Sequence, residues 1–439
     1  MEKRKVRENE LILAQDQYYD LDCYKTQLNN NVLVVGSPGS GKTRSIVSPN
    51  ILQAAGSYII VDPKGNLYGK YADYLRSKGY GVQKLNFSNP ADPETCSYNF
   101  FRYIHSDQDV LKIAHMLIKT DINQAKPYGG DPFWDEAGEL LLVALIGYLH
   151  HHAARRICTL ESVLRMLQSC ELDENDSSTK SPLDYIFEEI GASDPDDFSY
   201  RTYKRFRQAA GRTLKSILIT LSAKLAVFDT KELRHLFAKD SVYITGIGKR
   251  KVALFVIVSD TDRSMDPMAN LFFTQAINEL CRVADELPGQ KLPVDVRFIL
   301  DDFATNVRIG EFPRMIASIR SRGISTMLMI QAESQLRNAY GEDGRTIIGS
   351  CDSYVYLGGN DVETAQNVAQ RANLPLSRIL YMPVGTNWIF RRGQLPVESR
   401  NFDLDAFAEE KLRPDPPLSE KVYEISTGPK SERRDRKER

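Results

Sequence analysis

The sequence predicts an α/β fold in which a parallel sheet wound with helices is interrupted by an all-helical insertion. Short apolar runs such as NVLVVG, SYIIVD and GVQKLNF alternate with amphipathic stretches up to about residue 103. Helical periodicity then dominates, and strand-like runs return after about residue 240. We therefore predict the first part of the α/β domain at 1–103, an all-α insertion at 104–240, the second part of the α/β domain at 241–413 and a disordered charged tail at 414–439.

Composition and charge limit the classes of function. A chain of 439 residues is long enough for two or three domains with buried cores. The formal net charge of −1 excludes recruitment of nucleic acid by the field of the whole protein, so DNA contact would need local basic patches or a pore formed by several subunits. The six scattered cysteines, without a CxxC pair, predict free cytosolic thiols. The longest apolar run, residues 140–149, is too short to span a bilayer and predicts a buried helix.

The strongest motif is GSPGSGKT at residues 36–43, which matches the phosphate-binding pattern G-x-x-x-x-G-K-[ST] between an apolar strand and a helix. Its glycines allow backbone N–H groups to surround phosphate oxygens, and the helix N-terminus adds positive potential. Lys42 would reach the β- and γ-phosphates of ATP, and the Thr43 hydroxyl would ligate Mg²⁺. The predicted nucleotide-binding residues are Gly36, Ser37, Pro38, Gly39, Ser40, Gly41, Lys42, Thr43 and Arg44.

A second apolar run, VRFILDDF, supplies the acidic residues that a P-loop ATPase needs. Asp301 ends the run and is predicted to hold Mg²⁺, directly or through water. Asp302 follows where many P-loop ATPases carry a glutamate that polarises the attacking water. Its side chain is one methylene shorter, so either the backbone compensates or hydrolysis is slow, and the sequence leaves both open.

Two further features are candidates for coupling nucleotide state to movement. The run STMLMIQ ends in Gln331, which is predicted to sense the γ-phosphate or orient water, with a strand-end cap as the alternative. Between the acidic run and this strand lie Arg320 and Arg322, candidates for an arginine finger that reaches into a neighbouring subunit's site. A solvated helix face is the competing interpretation.

Two other segments have both a functional and a purely structural interpretation. Residues 62–65, DPKG, follow the second strand and are expected beside the P-loop, where they would position nucleotide, link subunits or simply form a tight turn. Residues 200–215 interleave cations with aromatic residues. On one helix they would offer a surface for phosphate contacts and base stacking, or an ordinary solvated face.

These segments, in this order, resemble the TraG/TraD-type coupling proteins of type IV secretion over about residues 29–401. The resemblance rests on NNNVLVVGSPGSGKT, SYIIVDPKGNLYGKYADYLRSKGYGV, YNFF, DPFWDEAGELLL, VRFILDDFATN and IRSRGISTMLMIQAESQL. It implies a RecA-like P-loop NTPase domain with an inserted all-α domain linked to substrate recognition. By position it also implies that the catalytic residues are Lys42, Asp301, Asp302, Gln331 and Arg320, with Thr43 and Asp301 at the metal.

The resemblance implies partners as well. They are a homo-hexameric ring on DNA or at the membrane, a relaxase with single-stranded DNA, and the type IV secretion channel components. Most members of the family begin with two membrane-spanning helices, whereas this sequence contains none. We therefore expect either a fragment or a short form that depends on a separate membrane-anchoring partner. In that form the protein would be cytoplasmic and peripheral at the inner face of the cell membrane.

Three functions are weighed from the sequence. The first is an ATP-hydrolysing coupling protein that recruits a relaxase–DNA or protein substrate and drives it into a conjugation channel. The second is an FtsK/HerA-like double-stranded DNA translocase, against which the large helical insertion and the RSRG…Q block argue. The third is a docking platform that binds ATP with little hydrolysis, and it is supported by Asp302.

Overall fold

The strands of the protein, in a computed structural model, divide into one large sheet and one hairpin. The structure describes residues 4–118, 132–170, 180–209, 211–305 and 307–412, so the predicted tail at 414–439 lies outside the described residues. Within these ranges the strands are β1 (Glu10–Ala14), β2 (Gln17–Asp20), β3 (Val32–Val35), β4 (Ser57–Val61), β5 (Gly81–Asn86), β6 (Val252–Ile257), β7 (Val296–Leu300), β8 (Ile324–Ile330), β9 (Ser353–Tyr356), β10 (Thr386–Arg391) and β11 (Val397–Arg400).

The helices lie on both faces of the sheet and in the segment between β5 and β6. In the described chain they are α1 (Cys23–Thr26), α2 (Ser48–Leu52), α3 (Asn66–Ser77), α4 (Asp107–Ile118), α5 (Pro132–His152), α6 (Leu160–Gln168), α7 (Pro182–Ser193), α8 (Phe198–Phe206), α9 (Gly211–Leu225), α10 (Lys231–Ala238), α11 (Asp266–Glu286), α12 (Phe312–Ser318), α13 (Glu333–Tyr340), α14 (Gly344–Gly349), α15 (Val362–Ala372), α16 (Leu376–Leu380) and α17 (Leu404–Leu412).

The large sheet has the strand order β11-β10-β9-β3-β8-β7-β4-β6-β5. The strands from β9 to β5 pair in parallel, and β10 and β11 extend one edge in the antiparallel sense. Sequences such as VLVV in β3 and VALFVI in β6 are buried along their whole length, as expected for parallel strands covered on both faces. The carboxyl ends of β3, β8 and β7 therefore meet at one edge of the sheet.

Alternate side chains of each strand supply two separate cores. Leu33 and Val35 of β3 pack in one core, which α11 covers with Phe272 and its neighbours. Val34, from the opposite face of β3, packs in the other core with Ile51 of α2, helix α3 and the β1–β2 hairpin. The result is a doubly wound, three-layered α/β arrangement.

Between β5 and β6 the described residues form helices and no strand, from α4 to α10. Helix α5 is central because residues 141–146 are buried in a row, and α4, α8 and α9 pack around it. The predicted all-α insertion is thus confirmed as part of the fold class, and the boundaries at 104 and 240 stay predictions. The apolar run at residues 140–149 lies within α5. Among the described helices, none is both long and apolar enough to cross a membrane.

Candidate functional site

The GSPGSGKT loop lies at the carboxyl-terminal edge of the sheet, directly after β3. Strand β3 has β9 on one side and β8 on the other, which is the kind of switch point where α/β sheets bind ligands. Gly39 and Gly41 have φ angles of 78° and 92°, a left-handed conformation in which a side chain would be strained. The loop runs directly into the helical turn Thr43–Val47 and then α2. Sequence and structure agree on this strand–loop–helix unit.

Lys42 is folded across its own loop. Its Nζ donates to the carbonyl oxygens of Gly36 at 2.7 Å and Ser37 at 3.3 Å. Burial lowers the pKa of Lys42, and the negative charges of Asp302 and Asp301 act in the opposite direction. The ammonium is therefore held by two neutral acceptors in a site built for stronger, anionic ones.

Thr43 and Asp301 meet although 258 residues separate them in sequence. Thr43 Oγ1 donates to Asp301 Oδ2 at 2.9 Å, and the Asp301 side chain is buried at the end of β7. Burial raises the pKa of Asp301, which the Thr43 hydrogen bond and the Lys42 charge partly offset. A hydroxyl and a carboxylate oxygen in contact are hard oxygen donors of the kind that Mg²⁺ prefers, so these residues fit the metal that the sequence predicts.

Asp302 begins a sharp change of direction after β7. Its φ is 50°, and its backbone N–H donates to Asp301 Oδ1 at 3.2 Å. Of the charges that raise the pKa of Lys42 against the effect of burial, that of Asp302 is the strongest, so this carboxylate faces the P-loop ammonium. The chain thus turns at Asp302 instead of extending β7, which presents the second acidic residue at the nucleotide edge.

Gln331 lies beside the start of the P-loop. It follows β8, the strand adjacent to β3, and the Gly36 N–H donates to the preceding carbonyl, that of Ile330, at 3.1 Å. The Gln331 N–H donates to Gln335 Oε1 at 2.7 Å, which fixes the backbone as α13 begins. The position suits the predicted sensor, whose role stays a prediction.

Arg320 and Arg322 lie at the other end of the sheet. Both precede β8, so they are at its amino-terminal edge, away from the P-loop of their own chain. Arg322 makes a two-bond ion pair with Asp285, at 2.7 and 2.9 Å. Arg320 donates from Nη2 to the Cys23 carbonyl oxygen at 3.0 Å. Either arginine could therefore reach a nucleotide only in a neighbouring subunit.

The expected placement of the DPKG segment beside the P-loop is wrong. Strand β4 is separated from β3 by β7 and β8, because the order of strands in the sheet differs from their order in the chain. Asp62 accepts a hydrogen bond from the Tyr68 N–H at 2.8 Å, and Gly65 has a φ of 69°. These contacts favour the tight-turn interpretation that the sequence left open.

The basic segment at 200–215 is not one helix. Helix α8 ends at Phe206 and α9 begins at Gly211, so the face expected from continuous helical spacing is divided between two helices. Arg201, Lys204 and Arg205 are exposed on α8, whereas Phe206 is buried. The exposed cations of α8 remain available for a partner.

Sequence reasoning missed three contacts of the P-loop. The Ser37 N–H donates to the Gly358 carbonyl oxygen at 3.0 Å, just beyond β9. Asn401 Nδ2 donates to the Ser40 carbonyl oxygen at 3.3 Å, and Arg44 pairs with Asp405 of α17. The strand followed by two glycines in SYVYLGG could have indicated the first contact. Asn401 and Asp405 carry no local signal, since their partners lie 361 residues away.

Fold and site together define a RecA-like P-loop NTPase core that carries an all-α domain. A family model described as type IV secretory system conjugative DNA transfer matches residues 2–372. The chain therefore belongs to the type IV secretory system conjugative DNA transfer family.

The chain is also similar in sequence to curated proteins named VirD4. The VirD4 proteins of Rhizobium rhizogenes and Agrobacterium fabrum (strain C58) are each 22% identical to the chain over 353 residues. The matched region is 77% of this chain and 48% of each relative, so the chain spans about half the length of the curated relatives it matches.

Solved structures share the fold at low identity. The conjugative coupling protein TrwBdeltaN70 in complex with sulphate has a TM-score of 0.66 and 16% identity, covering 92% of this chain and 91% of that chain. The coupling protein TrwB in complex with ADP and Mg²⁺ has a TM-score of 0.62 and 16% identity, covering 91% and 90%. VirB4 of Thermoanaerobacter pseudethanolicus has a TM-score of 0.55 and 12% identity, covering 90% and 97%. The predicted fold class is confirmed.

Proposed function

We propose that the chain is an ATP-hydrolysing coupling protein that recruits a relaxase–DNA or protein substrate and drives it into a type IV secretion channel. The observation that carries this proposal is the 2.9 Å contact between Thr43 Oγ1 and Asp301 Oδ2. It joins the P-loop to the acidic strand end on a RecA-like core, within a chain of the conjugative DNA transfer family. The solved TrwB complexes with ADP and Mg²⁺ support the choice of nucleotide and metal.

The P-loop residues would bind the nucleotide and its metal. ATP would supply the phosphoanhydride bond that is broken, and Mg²⁺ would supply a compact positive charge beside its phosphates. Lys42 would exchange its two carbonyl acceptors for phosphate oxygens, and this exchange is favourable because a charged acceptor binds an ammonium more strongly than a neutral one. Thr43 and Asp301 would hold the metal, Asp301 directly or through water.

Three other residues would act on hydrolysis. Asp302 would accept a hydrogen bond from the attacking water and orient it. Gln331, at the end of the strand beside β3, would respond to the γ-phosphate and pass the change to α13. Arg320 would act on the nucleotide of a neighbouring subunit, since it lies at the opposite edge of the sheet from its own P-loop. This geometry favours a ring, and we propose a homo-hexamer.

The partners follow from the family. We propose a relaxase with single-stranded DNA as substrate and the type IV secretion channel components as the destination. The protein would work at the inner face of the cell membrane. The exposed cations of α8 are candidates for contact with the relaxase or DNA, since a near-neutral chain needs such local patches.

A docking platform that binds ATP with little hydrolysis is the second candidate. The observation in its favour is Asp302, whose carboxylate is one methylene shorter than the glutamate usual at this position. The double-stranded DNA translocase has no comparable observation in its favour.

The proposal is tested by measuring phosphate release from ATP by the purified chain, alone, with single-stranded DNA and with double-stranded DNA. A motor predicts turnover stimulated most by single-stranded DNA and abolished by Lys42→Ala. Lys78→Ala, which removes an exposed lysine after α3, is the matched control and should behave like the original protein. Tight ATP binding without turnover under every condition would instead support the docking platform, and stronger stimulation by double-stranded DNA would support the translocase.

A further inference from the structure

A cavity of about 210 Å³ lies at the amino-terminal edge of the sheet, away from the P-loop. Its walls come from the beginnings of β4, β7 and β8, from the β1–β2 hairpin and from α1. The volume is far above the 10–15 Å³ or so that one water molecule needs. Aromatic and aliphatic side chains form much of the wall, among them Leu21, Tyr24, Tyr58 and Ile324.

Arg297 in the wall of this cavity is a buried arginine with few partners. It is the second residue of β7, only 8% exposed, and its neighbours in register are Tyr58 and Ser325. The one hydrogen bond from its side chain to the described residues runs from Nε to Ser325 Oγ at 3.3 Å. The Tyr58 hydroxyl is already engaged, because it accepts from the Ala55 N–H at 2.9 Å and donates to the Asn50 carbonyl oxygen at 3.0 Å. The two terminal nitrogens of Arg297 therefore have no partner in the described part of the chain.

No carboxylate of the described residues forms an ion pair with Arg297. The carboxylate of Asp295 pairs with Lys291 at 3.1 Å and acts on Arg297 only as a nearby charge, which raises the pKa of Arg297 against the effect of burial. Glu10, also in the cavity wall, pairs with Arg4 and accepts from the Arg7 N–H at 2.8 Å. Burial lowers the pKa of Arg297, which expresses the cost of holding this cation away from water. A buried charge is normally stabilised by a counter-charge in direct contact, so an anion in the cavity would be bound favourably beside this guanidinium.

Arg320 adds a second guanidinium to the same cavity. It donates to the Cys23 carbonyl oxygen and forms no ion pair with the described residues. A guanidinium offers planar pairs of N–H donors that match the two oxygens of a carboxylate or phosphate. Two guanidinium groups in a cavity that Tyr24 and Tyr58 also line fit a ligand with an anionic head and an apolar body.

We propose that this cavity binds a small organic anion, with its carboxylate or phosphate group held by Arg297 and Arg320 and its body against Tyr58 and Leu21. The cavity is too large for the anionic head group alone, and its apolar lining favours a ligand with a hydrocarbon body. Because the site lies at the opposite edge of the sheet from the P-loop, it is distinct from the nucleotide site of its own chain. Its existence does not depend on the proposed ATPase function.

Thermal unfolding of the full chain with benzoate, phenyl phosphate and inorganic phosphate tests the proposal, with neutral benzamide as the isosteric control. An organic anion at about one hundred times its Kd should raise Tm by about 3 °C, and benzamide should not. Arg297→Met should abolish this shift. It should also leave the unliganded Tm equal or higher, since the uncompensated charge is gone. Arg378→Met, which removes an exposed arginine paired with Glu398, is the matched control and should keep the shift.

The results of these experiments distinguish a specific anion site from the alternatives. If Arg297→Met fails to fold, Arg297→Lys keeps the charge without the planar donor pair and should weaken benzoate binding at least tenfold in ligand-detected NMR. Comparison of benzoate with phenyl phosphate identifies the preferred head group. The proposal is overturned if neither organic anion shifts the Tm of the original protein, if inorganic phosphate alone gives the whole effect, or if the Arg297 variants respond like the original.

Discussion

Replacing Asp266 by asparagine should stabilise the protein at neutral pH. Asp266 begins α11 and is only 1% exposed. Its Oδ2 accepts from Arg263 Nε at 2.9 Å, whereas Oδ1 has no hydrogen-bond partner among the described residues. Burial, partly offset by Arg263, raises the pKa of Asp266 from 3.8 to about 6. The folded protein therefore holds a proton on this carboxyl more tightly than the unfolded chain does.

The sign of the effect follows from this difference. Where the unfolded chain binds fewer protons than the folded protein, stability falls as pH rises. For Asp266 that interval extends from about pH 4 to about pH 6, set by the ordinary and the raised pKa. The full loss is about 3 kcal/mol, since each pKa unit corresponds to about 1.4 kcal/mol. The amide of the Asp266→Asn variant cannot ionise, so the advantage of that variant should be about 1 kcal/mol at pH 4.5 and about 3 kcal/mol at pH 7.5.

Urea unfolding of both proteins from pH 4.5 to 7.5 measures this difference, with equal m values as evidence that the unfolded states are comparable. Asp262→Asn is the control, because backbone and side-chain hydrogen bonds from Ser264 lower the pKa of the exposed Asp262. That variant should gain no stability at neutral pH. A difference between Asp266→Asn and the original protein that stays constant across the pH range would refute the reasoning.

Two further predictions concern the nucleotide site. Asp302→Asn should lower ATP turnover at least about 100-fold and preserve nucleotide binding, because a neutral amide oxygen polarises the attacking water far less than a carboxylate does. Turnover equal to that of the original protein would exclude Asp302 from the reaction. Asn401→Ala should weaken nucleotide binding about fivefold in a fluorescence titration, since it removes one hydrogen bond to the Ser40 carbonyl oxygen, worth about 1 kcal/mol. Unchanged affinity in the alanine variant would show that this contact does not shape the P-loop.

The arginine-rich edge of the sheet gives the protein a second chemically distinct region. The P-loop edge presents Lys42 with two acidic residues, whereas the opposite edge presents Arg297 and Arg320 with no carboxylate to pair them in the described chain. In a ring the two edges would face different neighbours. An anion in the cavity would then contact the same Arg320 that we propose acts on the next subunit's nucleotide, so occupancy and turnover would be linked.

Much of the nucleotide site could be predicted because its signals are local. A strand, a glycine-rich loop and a helix follow one another within residues 32–52, and the acidic pair ends a single apolar strand. The helical insertion was also predictable, because helical periodicity persists through α5 and α9 without reference to any distant residue. Gln331 was located by the same reasoning, at the end of β8.

The remaining features depend on which distant segments become neighbours. Strand order placed β7 and β8 between β3 and β4, which separated the DPKG turn from the P-loop. Asn401 became a P-loop contact only because β10 and β11 extend the same sheet. Nothing in the sequence around Arg297 distinguishes it from an ordinary strand residue. Only the tertiary structure shows that its charge is buried beside a cavity without an ion-pair partner among the described residues. Sequence periodicity determined the elements and the P-loop, since each depends on neighbouring residues. The free energy of packing remote surfaces decided the strand order, the long-range contacts and the buried cation.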